Sequence, residues 1–173
     1  MGKMKIAFDL DGVIADKPPL VPKELLEWFF KGHNSSALSY RFPRYRLEQL
    51  IRKLSHFYLL RPPIKENLAL IKEMACQKKY ELFIVSGRYS FLESETYLWL
   101  KKRGLDKTFK KVYLNLQDEP PHLFKEKVLK DLKPDFFIDD DAALIAYLKS
   151  KLKKTKILDY SHQKKFSLGI DFK

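Results

Sequence analysis

The chain has 173 residues, a formal net charge of +12 at pH 7 and a hydrophobic fraction of 45%, which fits a globular protein with one sizeable core and excludes intrinsic disorder. No apolar run approaches the ~18 residues that span a membrane, and the chain starts almost directly with a charged strand, so we expect neither a membrane segment nor a secretory signal. The single cysteine, Cys76, excludes an internal disulfide and suits a reducing compartment, so we expect a cytoplasmic protein with Cys76 buried rather than reactive.

The positive charge would attract anions such as nucleotides, phosphorylated metabolites or nucleic acid. The basic residues are spread along the chain rather than gathered in one block. The charge is therefore only weak support for a nucleic-acid partner, and a small phosphorylated compound is the expected one. The sequence gives no indication of an oligomeric state.

Short apolar segments alternate with segments of helical spacing along most of the chain. The predicted strands are 4–8, 80–85, 112–116, 135–138 and 156–158. The predicted helices of this alternating part are 64–78, 93–103, 123–132 and 142–152. Such alternation predicts an α/β protein with a doubly wound, mainly parallel sheet and helices on both faces.

Residues 17–60 interrupt the alternation. A run of prolines after Asp16 marks an exit from the core, and Pro62–Pro63 marks the return. Between them the spacing predicts a short helix over 23–31 and a longer helix over 47–60. We therefore predict a core made of residues 1–16 and 61–173, and a small helical cap made of residues 17–60.

Within that insert, the stretch 40–46 alternates aromatic residues with arginines. Arg41 and Arg44 could bind a substrate phosphate while the aromatic rings stack on a base. In the other interpretation the rings pack the cap against the core and the arginines are solvated. Both interpretations stay open.

Asp9-Leu10-Asp11-Gly12-Val13 follows the first predicted strand and carries two carboxylates two positions apart. Ligands bind at the carboxyl ends of the strands in open parallel sheets, and the side-chain period of two turns Asp9 and Asp11 the same way. Gly12 lets the backbone turn away. A plain strand followed by an Asp-Gly turn is the local alternative.

Three further polar groups occur in the same setting. Ser86-Gly87-Arg88 follows the second strand, Lys125 lies near the start of a helix, and Asp139-Asp140-Asp141 follows the fourth strand. Each has an ordinary explanation on its own, namely a turn, a surface lysine, and a helix start with Asp141 as the N-cap. Their joint occurrence in this order makes coincidence improbable.

These four pieces resemble, in order, the motifs of the haloacid-dehalogenase-like (HAD) phosphohydrolase superfamily. The Ser-Gly-Arg and Ile-Asp-Asp sequences are most similar to those of the 5'(3')-deoxyribonucleotidase-like branch. Ser86 stands where threonine is common in the superfamily. The resemblance implies a Rossmann-like core with a small helical cap inserted after the first strand. It also implies that the cap covers the active site.

The resemblance implies a role for each motif. Asp9 is the nucleophile and Asp11 the general acid and base, while Ser86, the Gly87 amide and Lys125 bind the phosphate. Lys127 is the rival of Lys125. Arg88 either reaches the phosphate or substrate, or is a solvated loop residue.

The implied cofactor is Mg²⁺, a hard cation that prefers oxygen ligands. Its ligands would be Asp9, the backbone carbonyl of Asp11, and one acid of the fourth motif. Asp140 is favoured as the direct ligand, with Asp139 acting through water, and the opposite assignment stays open.

The expected function is that of a Mg²⁺-dependent phosphomonoesterase that forms an aspartyl-phosphate, with a nucleoside monophosphate as first substrate. A polynucleotide end phosphatase is the alternative that the charge and the arginine-aromatic stretch suggest. A receiver-like module is disfavoured because the second acidic cluster follows the lysine. A non-catalytic phosphate-binding module is disfavoured because it would not require Asp11.

Overall fold

The computed structural model describes residues 2–18, 38, 40 and 42–160. Its strands form one sheet in the order β3-β2-β1-β4-β5, and every pair is parallel. The strands are β1 (Met4–Phe8), β2 (Tyr80–Tyr89), β3 (Lys111–Asn115), β4 (Phe136–Asp139) and β5 (Lys156–Asp159). The helices are α1 (Arg46–Ser55), α2 (Lys65–Cys76), α3 (Glu93–Lys102), α4 (Pro121–Leu132) and α5 (Ala142–Lys151), with a 3₁₀ turn at Ser90–Leu92.

Strand β1 is the centre of the sheet, and its side chains enter two separate hydrophobic clusters. Ile6 and Phe8 pack on one face with Trp99, and Ala7 packs on the other face with Phe137. Side chains alternate between the two faces of a strand, and helices cover both faces of parallel sheets. The predicted doubly wound parallel sheet is therefore confirmed.

The register aligns the carboxyl ends of three neighbouring strands. Phe8 pairs with Ile84 of β2 and with Ile138 of β4, and the Asp9 amide donates to the Ile138 carbonyl at 2.8 Å. The chain runs from β1 to β2 and β3 on one side and then to β4 on the other. This reversal beside β1 is the switch point at which open α/β sheets bind ligands.

Most predicted elements agree with the structure within a few residues, and two differ more. Strand β2 continues four residues beyond the predicted end at Val85, with an irregular register between Ser86 and Tyr89. Helix α1 ends at Ser55 rather than at residue 60, because the chain then forms successive turns in which the amide of Leu60 donates to Phe57. The helix predicted over 23–31 lies outside the described residues.

Helix α1 turns an apolar stripe outward. Leu47, Leu50, Ile51 and Leu54 are between 40% and 67% exposed, whereas Arg52 is buried. Helical spacing alone would have placed these apolar residues against the core.

Cys76 is exposed, so the prediction that it is buried is wrong. Helix α2 buries Asn67, Ile71 and Met74. Cys76 follows Met74 by two positions, and residues two apart on a helix do not share a face.

None of the helices in the described ranges combines the length and the hydropathy that a membrane span requires.

Candidate active site

Lys125 lies between two carboxylates at the carboxyl edge of the sheet. Its Nζ is 2.9 Å from Asp9 Oδ1 and 2.7 Å from Asp139 Oδ2, and all three side chains are buried. Asp9 comes directly after β1, Asp139 ends β4, and Lys125 projects from α4. The structure thus brings the first, third and fourth motifs of the sequence into direct contact.

Asp140 joins this group. Ligand oxygens of Asp9, Asp139 and Asp140 lie within 4.8 Å of one another. Burial raises the pKa of Asp9 well above its usual range, Lys125 opposes that shift, and Asp139 reinforces it. Burial, reinforced by Asp139, likewise raises the pKa of Asp140 to about 6. The cluster thus holds three carboxylates and only one ammonium group, that of Lys125. Its negative charge is therefore not balanced by the side chains around it.

Gly12 makes room for Asp140. Its φ is +80°, and a Cβ atom built there would lie 2.0 Å from Asp140 Oδ2. Only glycine adopts this conformation freely and tolerates such an approach. The turn after Asp11 therefore determines where the Asp140 carboxylate can lie.

Asp139 and Asp140 differ in their contacts. Asp139 accepts from Lys125 through Oδ2 and from the Asp141 amide through Oδ1. Asp140 forms no hydrogen bond with another described residue. The Asp140 oxygens are therefore more available to a cation than those of Asp139. Three carboxylates so close together fit a hard divalent ion.

Asp11 has different neighbours from Asp9. Arg88 donates from Nε to Oδ2 and from Nη2 to Oδ1, each at 2.7 Å, and Arg61 also donates to Oδ1. Burial works to raise the pKa of Asp11, but Arg61 and Arg88 together hold it well below its usual range. The two aspartates of the first motif are thus held in opposite electrostatic environments.

Arg88 is buried and its guanidinium group contacts Asp11, which excludes one of the two alternatives that the sequence left open. Besides Asp11 it contacts Thr96, whose Oγ1 accepts from Nη1 at 3.0 Å, so it is not a solvated loop residue. Arg61 was missed by the sequence analysis. It precedes Pro62–Pro63 where the chain re-enters the core, and no spacing distinguishes it from the many other basic residues.

Gly87, the residue after Ser86, lies beside Lys125. Ser86 is buried, and its Oγ accepts from the Arg88 amide at 3.4 Å. A Cβ atom at Gly87 would lie 3.0 Å from Pro121 and 3.8 Å from the Lys125 Cε. The second motif therefore adjoins the start of α4 and the lysine of the third motif.

Lys127 points elsewhere. Its side chain is 68% exposed and pairs with Glu119 at 3.5 Å. Residues two positions apart on a helix lie on different faces, so only Lys125 of the two rivals can reach the acidic cluster.

The described part of the arginine-aromatic stretch packs against the core. The Tyr40 hydroxyl donates to Asp141 Oδ2 at 2.6 Å, and the Phe42 ring meets Tyr89 edge-on at 5.0 Å. Tyr40 also stacks on His122, with 6.3 Å between ring centroids. These contacts match the packing interpretation of the aromatic residues. Arg44 is exposed, and Arg41 lies outside the described residues.

Asp141 has the role that the sequence predicts. Its Oδ1 accepts from the amides of Ala143 and Leu144 at 3.0 and 3.2 Å, which caps α5. The third acid of the run thus serves the helix and not the acidic cluster.

No protein-family model matches the sequence, and no curated protein matches it. Solved structures share its fold. A haloacid dehalogenase-like hydrolase from Streptococcus pneumoniae is 14% identical with a TM-score of 0.60, and the match covers 91% of this chain and 84% of that one. A HAD family enzyme from Bacteroides thetaiotaomicron, solved with magnesium and inorganic phosphate, is 16% identical with a TM-score of 0.55, covering 93% and 98%.

A chain of the Pnkp1/Rnl/Hen1 RNA repair complex is also similar, at 14% identity and a TM-score of 0.58, covering 91% of this chain and 42% of that one. Identities this low establish the fold and nothing finer. The protein therefore has the α/β fold found in HAD hydrolases, with an acidic cluster at its switch point.

Proposed function

We propose that the protein is a Mg²⁺-dependent phosphomonoesterase that forms an aspartyl-phosphate on Asp9. The observation that carries the proposal is the convergence of Asp9, Lys125 and Asp139 from three separate elements into one buried cluster. The fold is shared with hydrolases, one of which was solved with magnesium and inorganic phosphate.

The reaction takes place in two steps. An Asp9 oxygen attacks phosphorus and the bond from phosphorus to the leaving oxygen breaks. Asp11 gives that oxygen a proton, which it must first take up from solvent because Arg61 and Arg88 favour its ionised form. A water molecule then attacks phosphorus, Asp11 takes the water proton, and the bond to Asp9 breaks. Inorganic phosphate leaves, and both aspartates are restored.

The second and third motifs bind the phosphate group. The Ser86 hydroxyl and the Gly87 amide donate to its oxygens, and Lys125 holds both the phosphate and Asp9. Phosphoryl transfer depends mainly on positioning and on neutralising charge. Gly87 lies beside Lys125, which supports this assignment.

Asp9, Asp140 and the backbone carbonyl of Asp11 would hold the Mg²⁺ ion, with Asp139 acting through water. When bound, the ion neutralises charge on the phosphate and on the carboxylates. The raised pKa values of Asp9 and Asp140 support this choice, because they show a cluster short of positive charge. We place the activity in the cytoplasm, where the single cysteine stays reduced.

The first substrate class is a nucleoside monophosphate, which follows from the resemblance of the Ser-Gly-Arg motif to nucleotidases. Arg44 remains a candidate for substrate binding because it is exposed, and Arg41 remains one from the sequence. The second candidate function is that of a polynucleotide end phosphatase. The net charge of +12 favours it, as does the similarity to a chain of an RNA repair complex.

A phosphate-release screen tests the proposal. The panel holds 4-nitrophenyl phosphate, nucleoside 5'- and 3'-monophosphates, sugar phosphates and a 3'-phosphorylated oligonucleotide, each with Mg²⁺ or with EDTA. We expect Mg²⁺-dependent release that Asp9→Asn removes and that Asp16→Asn, an exposed aspartate on the same segment, retains. No release from any ester, or equal release by Asp9→Asn, would end the proposal.

The same screen separates the two substrate classes. A polynucleotide phosphatase binds more weakly as salt rises, because phosphate contacts release counterions. Preference for the oligonucleotide with a steep salt dependence would favour the second candidate. Preference for a mononucleotide with little salt dependence would favour the first.

A further inference from the structure

The amino edge of the sheet, opposite the candidate active site, carries the reverse charge. An exposed lysine precedes each strand: Lys3 before β1, Lys79 before β2, Lys110 before β3, Lys133 before β4 and Lys154 before β5. Because all the strands are parallel, these lysines lie along one edge, and we call them the lysine edge. Basic residues that are spread along the sequence thus meet in the fold.

Backbone hydrogen bonds hold the segments of the lysine edge side by side. The Met4 amide donates to the carbonyl of Lys79 at 2.8 Å, which joins the starts of β1 and β2. The Lys156 amide donates to the carbonyl of Asp135 at 2.9 Å, which joins the starts of β4 and β5. Neighbouring strands lie about 4.8 Å apart, so the starts of the strands form a row about 19 Å long.

Nearby acids do not balance the charge of the lysine edge. Glu81 pairs with Lys110 at 2.6 Å, and Asp106 and Asp135 are exposed acids in the same segments. The other four members of the lysine edge form no ion pair with any described residue. These segments and strand starts also contain further exposed lysines, namely Lys78, Lys107, Lys111, Lys153 and Lys156. Lysines therefore far outnumber acids on this edge.

The anion that the lysine edge attracts is not the substrate of the active site. Like charges gathered on one face repel one another, and a bound anion relieves that repulsion. Lys3 and Asp9 are separated by the five residues of β1, a distance of about 20 Å along an extended strand. A small phosphate ester at Asp9 does not span it.

The side chains between the lysines indicate which polyanion fits. In the described segments that lead into the strands, the large apolar residues Leu105, Phe109 and Leu152 are buried. These segments therefore offer no apolar face to a membrane and no exposed ring to a stacked base. A row about 19 Å long matches the phosphates of about five or six base pairs of a duplex, at 3.4 Å each.

We propose that the lysine edge binds the phosphate backbone of a duplex nucleic acid, independently of base sequence. Lysine ammonium groups act as point charges on phosphates, and phosphate contacts carry no direct sequence information. This binding is a second function beside the proposed phosphatase activity and does not depend on it, because the two sites lie at opposite edges of the sheet.

Fluorescence anisotropy with a labelled DNA duplex of mixed sequence tests the proposal. The duplex has hydroxyl groups at its ends and the buffer contains EDTA, so the probe is not a substrate of the proposed reaction. We expect log K to fall linearly with log[salt], with a slope between about −2.7 and −4.5, which corresponds to about three to five neutralised phosphates.

Two double variants with the same loss of charge locate the binding site. Lys79→Gln with Lys154→Gln acts on the lysine edge, whereas Lys65→Gln with Lys127→Gln removes exposed lysines of α2 and α4. The edge variant should bind about tenfold more weakly at about 50 mM salt, with a slope shallower by about 1.8. The control should change by less than about twofold. Because all four lysines are exposed, melting temperatures should move by less than about 2 °C.

Several outcomes would overturn the inference. Absence of binding at about 50 mM salt, or equal weakening in both double variants, would show that the lysine edge is not a binding site. Tighter binding of a single strand than of the duplex, or a strong preference between two duplex sequences, would assign recognition to base contacts. Displacement of the duplex by vesicles of phosphatidylcholine and phosphatidylserine, at equal phosphate concentration, would assign the edge to a membrane surface instead.

Phosphate release from 4-nitrophenyl phosphate separates this inference from the proposed function. The edge variant should keep the wild-type kcat/KM within about twofold, because its substitutions lie far from the active site. A larger loss would overturn the separation of the two sites. If the wild-type protein cleaves no ester, the proposed function fails while duplex binding is still measured. If it cleaves esters and binds no duplex, this inference alone fails.

Discussion

Asp9 and Asp11 are the same residue type, two positions apart after one strand, yet they lie in opposite surroundings. Asp9 shares a buried cluster with two other acids and one lysine. Asp11 accepts hydrogen bonds from two buried arginines. The pKa of Asp9 is raised by burial and by neighbouring acids, whereas the arginines lower the pKa of Asp11 despite its partial burial.

This difference shows how a fold gives one residue type two tasks. Around Asp9, the acidic side of the site (Asp9, Asp139, Asp140 and Lys125) places carboxylate oxygens close enough together to bind one cation. Around Asp11, the arginine side of the site (Arg61 and Arg88) holds one carboxyl group in a fixed orientation.

The largest expected effects come from replacing Asp9 and Asp11, one at a time, by asparagine, which tests whether the two aspartates have different roles. Asp9→Asn should lower phosphate release from every ester on the order of 10⁴-fold or more, because no nucleophile remains. Asp11→Asn should lose about 10²- to 10⁴-fold on alkyl esters, the usual contribution of a general acid, and far less in kcat/KM on aryl esters. Steady-state kinetics on both esters measures this, and identical losses in both variants would contradict it.

Substitutions of the two lysines of α4 test whether Lys125 stabilises the acidic side of the site. Lys125→Met leaves the buried Asp9 and Asp139 unpaired and should cost about 3–5 kcal/mol of unfolding free energy. We also expect a loss of activity of about 100-fold or more, because an anchored charge on the phosphate is removed. Lys127→Met is the matched control, because that lysine is exposed, and it should change stability by less than about 0.5 kcal/mol. Denaturant unfolding and activity assays compare the two, and similar costs would contradict the assignment of Lys125.

A substitution at Gly12 tests whether the turn after Asp11 determines the position of Asp140. Gly12→Ala forces a side chain into a positive-φ position and against Asp140, so we expect a loss of about 2 kcal/mol. Calorimetric titration should show weaker Mg²⁺ binding, because Asp140 must move. Gly104, which also has a positive φ of +65° but lies away from the acids, provides the control. Gly104→Ala should lose stability without losing Mg²⁺ affinity, and equal Mg²⁺ affinity in both variants would contradict the role of Gly12.

The smallest expected effect concerns pH and the protein without metal. The folded-state pKa of Asp140 is about 6, above its ordinary value of 3.8. Its protonated form therefore contributes stability that is complete below about pH 4 and is lost as the pH rises through 6. Asp140→Asn should raise the unfolding free energy at pH 8 by about 1 kcal/mol, less than the about 3 kcal/mol equivalent of the pKa shift, because the amide is still partly buried.

Unfolding measured with EDTA between pH 4 and pH 8 checks this. The gain in Asp140→Asn should disappear at pH 4, where the wild-type carboxyl group is protonated. Adding Mg²⁺ should stabilise the wild-type protein more than the variant at pH 8. A gain that does not depend on pH would contradict a charged cluster as its cause.

The parts of the fold that sequence predicts well are those with a simple pattern. Strand β1 was predicted with the bounds that the structure has, because a short apolar run between polar residues permits little else. The extension of β2 through Ser86 and Gly87 could not be predicted, because Ser-Gly signals a turn, whereas in the structure Ser86 and Tyr89 pair with β3. The early end of α1 was also missed, since its apolar spacing continues past the last helical residue.

The site divides in the same way. Asp9, Asp11, Lys125 and Asp139 were predicted from the order of their motifs and from the resemblance to a known family, whose spacing favoured Lys125 over Lys127. The structure brings Asp9, Lys125 and Asp139 together. Arg61 and the partnership of Arg88 with Asp11 were not found. A lone arginine carries no periodic signal, and its partner is fixed by packing between distant segments.

The sequence by itself determined the parallel sheet and the placement of acids at the ends of its first and fourth strands, because alternation and strand ends are local patterns. Only the tertiary structure decided which acid faces the lysine and which faces the arginines. That choice depends on burial and on charges contributed by α4, by the end of β2 and by the segment before α2. These contributions exist only after the chain has folded.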